Sequence, residues 1–193
     1  MSLSPTKLEI LETMLLLDKP ERAMSIAKEV GKEFPSVMMH IIGLTRMGYI
    51  VSPEKGLYTL TEKAKKALGI PEINQENAKK ELADMPQDQS FHFYASFGKP
   101  LSLQACSLPD FRDKILQVNL DSIKFHGSRG DFEAWFAGLG DVELAKKVTL
   151  LKAKKMDGEE LRSRLHDMVE NRCAVLSNLA EHSFSAESTT SAA

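Results

Sequence analysis

Residues 35–68 read PSVMMHIIGLTRMGYIVSPEKGLYTLTEKAKKAL, and the order of patterns inside this stretch decides the fold of the first third of the chain. Val37, Ile41 and Leu44 recur at helical spacing, so a helix is expected from about Pro35 to Met47-Gly48. Two β-prone runs follow, Tyr49-Ile50-Val51 and Leu57-Tyr58-Thr59-Leu60, separated by Ser52-Pro53-Glu54-Lys55-Gly56. That intervening run is turn chemistry, which predicts a hairpin. Thr61 can then cap a short helix carrying Ala64, Ala67 and Leu68.

Upstream, Leu8, Leu11, Met14 and Leu15 share one face of an amphipathic helix near residues 5–17. Asp18-Lys19-Pro20 breaks it, and Pro20 suits the first turn of a second helix whose stripe is Ala23, Ile26, Ala27 and Val30, stopped by Gly31. Three helices, a hairpin and a further helix make a winged helix-turn-helix over residues 1–70. The stretches PSVMMHIIGLTRMGYI (35–50) and GLYTLTEKAKKAL (56–68) resemble the recognition helix, wing and post-wing helix of archaeal transcriptional-regulator domains. The resemblance implies binding to duplex DNA.

In a helix-turn-helix the second helix of the pair enters the major groove, and its outward side chains meet base edges. With Val37, Ile41 and Leu44 inward, the expected DNA-binding residues are Ser36, Met38, Met39, His40, Thr45 and Arg46, with Lys55 on the wing. Base readout favours Arg, Lys, Asn and Gln, whose donors match purine edges, yet this face offers one Arg among Met and Ile. The alternative is a protein–protein interaction module in which Met38, Met39 and Ile42 are covered by a partner. Lys55, Lys63, Lys65 and Lys66 favour DNA, since phosphate contacts need cations.

Residues 71–86 read as a polar linker, helical from about Asn74 to Ala83. Residues 87–182 read as a mostly helical domain with one short hairpin, Phe91–Ala95 and Leu101–Ala105, around Gly98-Lys99-Pro100. Helices are expected near 108–118, from Asp131, from a cap at Asp141, and after Asp157 with Glu160 as a capping box. The fold class is therefore mainly α (α+β). The tail, 183–193, is rich in Ser, Thr and Ala and is expected to be disordered. The stretches ACSLPDFRDKILQV (105–118), IKFHGSRGDFEAWFAGLGDVELAKKV (123–148) and GEELRSRLHDMVENR (158–172) resemble a domain of unknown function found in archaeal proteins, often behind a winged helix. That resemblance carries no activity and no functional residues.

No enzyme, cofactor or metal is expected. The glycines 127, 130, 138 and 140 do not form a phosphate loop, and His40, His92, His126, His166 and His182 show no metal-ligand spacing. Cys106 and Cys173 are expected as buried free thiols. The densest mixture of aromatic, basic and acidic residues is 125–135, which holds the single Trp. It supports a ligand or partner site made of His126, Arg129, Asp131 and Trp135, on a loop whose glycines free the backbone. The competing reading makes Phe132, Trp135 and Phe136 core and pairs Arg129 with Asp131 or Glu133 at the surface.

Leu161, Leu165, Met168, Arg172, Val175 and Leu179 alternate spacings of four and three, the pattern of a homodimer seam, or equally of a stripe that covers its own domain. Lys146, Lys147, Lys152, Lys154 and Lys155 read as a solvated face, or as auxiliary phosphate contacts. Residues 1–70 carry ten Lys and Arg against eight Asp and Glu, a mild basic excess within a net charge of −2. No apolar run approaches the roughly 18–20 residues that span a bilayer, and Met14–Leu17 is too short for a signal core. The expectation is a cytoplasmic DNA-binding transcriptional regulator with a C-terminal sensing or dimerising domain and no membrane partner. Operator and effector are not written in the sequence.

Overall fold

The computed structural model describes residues 3–181. The chain is mainly helical, with two small antiparallel sheets, and it divides into two compact units at Glu72/Ile73. The predicted tail, 183–193, and His182 lie outside the described residues.

In the first unit, α1 (Pro5–Leu17) begins with proline at its first position, where no N–H is needed. It buries Ile10, Leu11, Met14 and Leu15, so the inward face is rotated from the expected one and Leu8 is exposed. Helix α2 (Ala23–Val30) ends on Gly31, whose left-handed φ of 70° closes the C-cap. Helix α3 (Phe34–Arg46) buries Val37, Ile41 and Leu44. Strands β2 (Ile50–Val51) and β3 (Leu57–Leu60) pair antiparallel, Ile50 opposite Leu60, and Thr61 caps α4 (Glu62–Ala67) by accepting from the Ala64 amide.

One strand is unforeseen. Glu21 and Arg22 form β1, which pairs with Tyr58 and Leu57 on the other edge of β3. Pro20 therefore precedes a strand and not the first turn of α2, a correction that two residues of local sequence could not announce.

In the second unit the helix expected within residues 71–86 is present, packed into the unit and not a free connector. Helix α5 (Gln75–Leu82) packs against α10 (Gly158–Glu181), buries Ala78 and Glu81, and sends the Gln75 amide to the Ala180 carbonyl at 2.7 Å. Strands β4 (Phe91–Ser96) and β5 (Lys99–Ala105) form the hairpin, with Phe91 opposite Ala105 and register slips on both sides of Tyr94. Helices α6 (Leu108–Ile115), α7 (Leu120–Arg129), α8 (Asp131–Leu139) and α9 (Val142–Ala153) complete it.

Helix α7 occupies the stretch read as a glycine-freed loop. Asn119 caps it, and Gly130, at φ 81°, is the only residue between α7 and α8. Gly127 sits inside α7, where an added Cβ would lie 2.8 Å from Leu161 Cδ2. Its smallness lets α10 approach, a use that has nothing to do with a turn.

The core of the second unit contains an aromatic cluster. Phe91, Phe93, Phe111, Phe132 and Phe136 are buried, and the Phe91–Phe132 centroids are 5.3 Å apart. Beside it lies a buried charge network. Arg172 on α10 donates to Asp141 (2.7 Å), Glu143 (3.2 Å) and Glu81 (3.2 Å), and Lys147 reaches Glu143 at 2.9 Å. Burial and the adjacent Asp141 charge push the Glu81 pKa up to about 7 in spite of Arg172.

The lysine series departs from the expected solvated face, and the α10 stripe follows the alternative in which it covers its own domain. Lys147 is 1% exposed, so the lysine series is not one solvated face, and Lys152 faces Glu133 at 4.0 Å. Leu161, Leu165, Met168 and Arg172 are buried within their own unit, while Val175 is exposed and Leu179 half-buried. The seven-residue pattern on α10 is thus spent against α5, α6, α7 and α9.

Candidate functional site

The outward face of α3 is the first candidate. Met39 is 64% exposed, Ile42, Thr45 and Arg46 are exposed, and Ser36, Met38 and His40 are half-buried. The Thr45 hydroxyl donates back to the Ile41 carbonyl at 2.8 Å, which removes its donor from any outward contact. Lys55 is exposed on the hairpin, where Gly56 takes φ 80°. Neither Arg46 nor Lys55 forms a hydrogen bond or ion pair among the described residues. The neighbouring lysines are engaged: Lys63 with the Met47 carbonyl and the Tyr49 ring, Lys65 with Glu62, Lys66 with Glu72. Lys65 and Lys66 are thus paired with carboxylates, whereas Lys63 keeps its positive charge against a carbonyl and a ring.

The second candidate is a cavity of about 320 Å³ in the second unit. All four residues expected at a ligand site, His126, Arg129, Asp131 and Trp135, line it together. Helix α7 supplies Phe125, His126 and Arg129, which a spacing of three and four puts on one face. Helix α8 supplies Asp131 and Trp135 by the same spacing, and the hairpin supplies Phe91, His92, Tyr94, Phe97 and Gly98. The hairpin aromatics were not singled out from sequence. Their signal was present in the run Phe91-His92-Phe93-Tyr94, but only the pairing of hairpin and helices makes them one wall.

The polar geometry at the cavity is closely determined. The Tyr94 amide donates to His126 Nε2 at 2.9 Å, so that nitrogen carries a lone pair and the ring proton must be on Nδ1. Nδ1–H then donates to Asp131 Oδ2 at 2.7 Å. Tyr94 lies opposite Pro100, between the two register slips, and its amide leaves the ladder for the imidazole. His126 is 3% exposed, and burial lowers its pKa, with Asp131 pulling the other way. The imidazole is neutral at neutral pH. A carboxylate–histidine pair of this kind suggests a general base, but the base needs Nε2 free, and the backbone holds it.

Arg129 Nε donates to the same Asp131 Oδ2 at 3.1 Å. Its guanidinium lies over the Phe97 and Phe125 rings, 4.9 and 5.0 Å from their centroids. Trp135 donates from Nε1 to the Gln89 carbonyl at 3.0 Å and stacks on Phe111 at 5.3 Å. Phe132 and Phe136 are core and Arg129 pairs with Asp131, while Trp135 has one face in the aromatic cluster and one on the cavity.

Neither cysteine is activated. Cys106 is half-buried rather than buried, and its Sγ donates to Asp110 at 3.3 Å, which raises its pKa. Burial pushes Cys173 up to about 11. Among the described residues no group of three His, Cys, Asp or Glu is placed to hold a metal ion, and no helix is long and apolar enough to cross a membrane.

The sequence profile of DUF5752, a family of unknown function, matches residues 61–170, more than half of the 193. The chain belongs to the DUF5752 family. The DUF5752 segment begins at Thr61, the cap of α4, and runs into α10, so it contains the cavity-lining helices and hairpin and excludes α3. No curated protein and no solved structure matches the chain.

Proposed function

We propose that residues 1–70 form a winged helix-turn-helix and that the protein is a DNA-binding transcriptional regulator whose second unit senses a small ligand. One observation carries the reading. Helix α3 turns Val37, Ile41 and Leu44 inward, and leaves Arg46 exposed at its end with Lys55 exposed on the following hairpin. A helix presented this way can lie in a major groove while the hairpin meets the backbone. The element order helix, strand, helix, helix, hairpin supports it as well. Two-fold symmetry would let two copies address two half-sites, so a homodimer is part of the reading, through a surface other than the buried stripe of α10.

A second reading is favoured by the exposed Met39 and Ile42 and the engaged lysines of α4: a winged-helix module that binds a protein. A selection of random duplex DNA against the full-length protein separates the two, run at low and at physiological salt because phosphate contacts dominate affinity. Enrichment of a motif at physiological salt supports the regulator. Absence of duplex binding at low salt removes it and leaves the interaction module.

A further inference from the structure

We infer that the cavity of the second unit binds a small aromatic carboxylate, its ring between the aromatic walls and its carboxylate on the outer nitrogens of Arg129. The inference rests on reading the second unit as the sensing part. It rests equally on geometry that involves no DNA.

Size comes first. An apolar cavity of roughly 150 Å³ holds benzene. A volume of about 320 Å³ therefore admits one ring system with a short arm and little more. The walls are suited to a ring: Phe91, Phe97, Phe125 and Trp135 all face it. Phe97 is 80% exposed beside the tight turn at Gly98, although an aromatic ring of that size gains nothing from water. A planar ligand seated against it would cover that face.

Charge decides the rest. His126 is neutral and both of its nitrogens are engaged, so it offers a ligand neither charge nor a free donor. Asp131 Oδ2 already accepts from two donors. Arg129 donates through Nε alone, its Nη groups make no hydrogen bond among the described residues, and its side chain is 42% exposed. The cavity mouth thus presents a guanidinium fixed in place by Asp131 and by two rings, with two donor groups unspent. That geometry suits a carboxylate. An aromatic cage without a cation would favour a quaternary ammonium ligand, but here the Arg129 guanidinium already occupies the cation position over Phe97 and Phe125.

The test is titration calorimetry of the full-length protein with phenylacetate, phenylacetamide and phenethylamine, with Trp135, the single tryptophan, as a fluorescence reporter. Phenylacetate is expected to bind about tenfold or more tighter than the amide, and the amine not to bind. Arg129→Gln should bring acid and amide to equal affinity, and Phe97→Ala should weaken both in parallel. Circular dichroism confirms that each variant is folded, and both sites are exposed enough for that to be expected. Equal affinity for acid and amide in the parent protein overturns the proposal, as does preference for the amine, or no heat and no Trp135 change with the acid at millimolar concentration. Failure here leaves the duplex-DNA selection untouched, and failure of that selection leaves these affinities measurable.

Discussion

Thr13 is the one polar or charged side chain buried in the first unit among the described residues, whereas the second unit buries Glu81, His126, Asp141, Glu143, Lys147 and Arg172. In the first unit the core is a set of aliphatic stripes, and every charged group with potential chemistry, Arg46 and Lys55 above all, is on the outside. In the second, charge has been taken inside and used to join elements. Arg172 connects α10 to α5 through Glu81 and to the start of α9 through Asp141 and Glu143, and Asp131 joins His126 to Arg129 at the cavity. The difference teaches where function can reside. A unit with an aliphatic interior must act through its surface, while a unit that fixes polar groups in its interior can hold a preorganised pocket.

The largest expected effect breaks that contrast directly. Arg172→Met leaves three buried carboxylates without their common partner and should cost about 3–5 kcal/mol in denaturant unfolding. Ile41→Val, at an equally buried position in the first unit, should cost about 0.5–1.5 kcal/mol. Similar losses from the two would show that the buried charges are not what organises the second unit.

The same network should make stability depend on pH. Glu81 has a folded pKa of about 7 against an ordinary 4.5, so the folded state binds the extra proton between those values. The contribution of protonated Glu81 is fully present below about pH 4.5 and is lost as pH rises through about 7. Glu81→Gln cannot ionise and should flatten this part of the curve, gaining relative to the parent at about pH 8. Midpoints of unfolding compared across this range check it, and parallel curves for the two proteins would refute it.

A smaller effect is expected on the surface of the first unit. If the protein is the proposed regulator, Arg46→Ala should weaken specific duplex binding by about 1–3 kcal/mol, and Lys55→Ala should weaken all sequences alike while reducing the salt slope. Neither should move the melting temperature, since both side chains are exposed and unpaired among the described residues. The smallest effect belongs to Arg129→Gln in the absence of ligand. An exposed ion pair contributes about 0–1 kcal/mol, so the stability of the second unit should hardly change although its ligand preference does.

Much of the local structure was legible because it is set within a few residues. The apolar spacing of Val37, Ile41 and Leu44, the caps at Thr61 and Asp141, the stop at Gly31 and the turn at Ser52–Gly56 all act over one or two helical turns. The four cavity residues were legible too, since composition alone marks residues 125–135 as unusual. What escaped was decided over distance. Glu21-Arg22 is a strand only because β3 is there to pair with it. Gly127 reads as a loop residue until Leu161 is seen 2.8 Å from where its Cβ would be. Lys147 reads as part of a solvated face, and Arg172 as one position of the α10 stripe. The free energy of burying a charge is set by its partners, and those of Arg172 lie 29, 31 and 91 residues away in sequence. The sequence by itself determined most of the helices, α7 excepted, the turn at Ser52–Gly56 and the unusual composition of residues 125–135. Only the tertiary structure decided which charges are inside and which aromatics share one wall, because burial and pairing are properties of neighbours that the chain order does not adjoin.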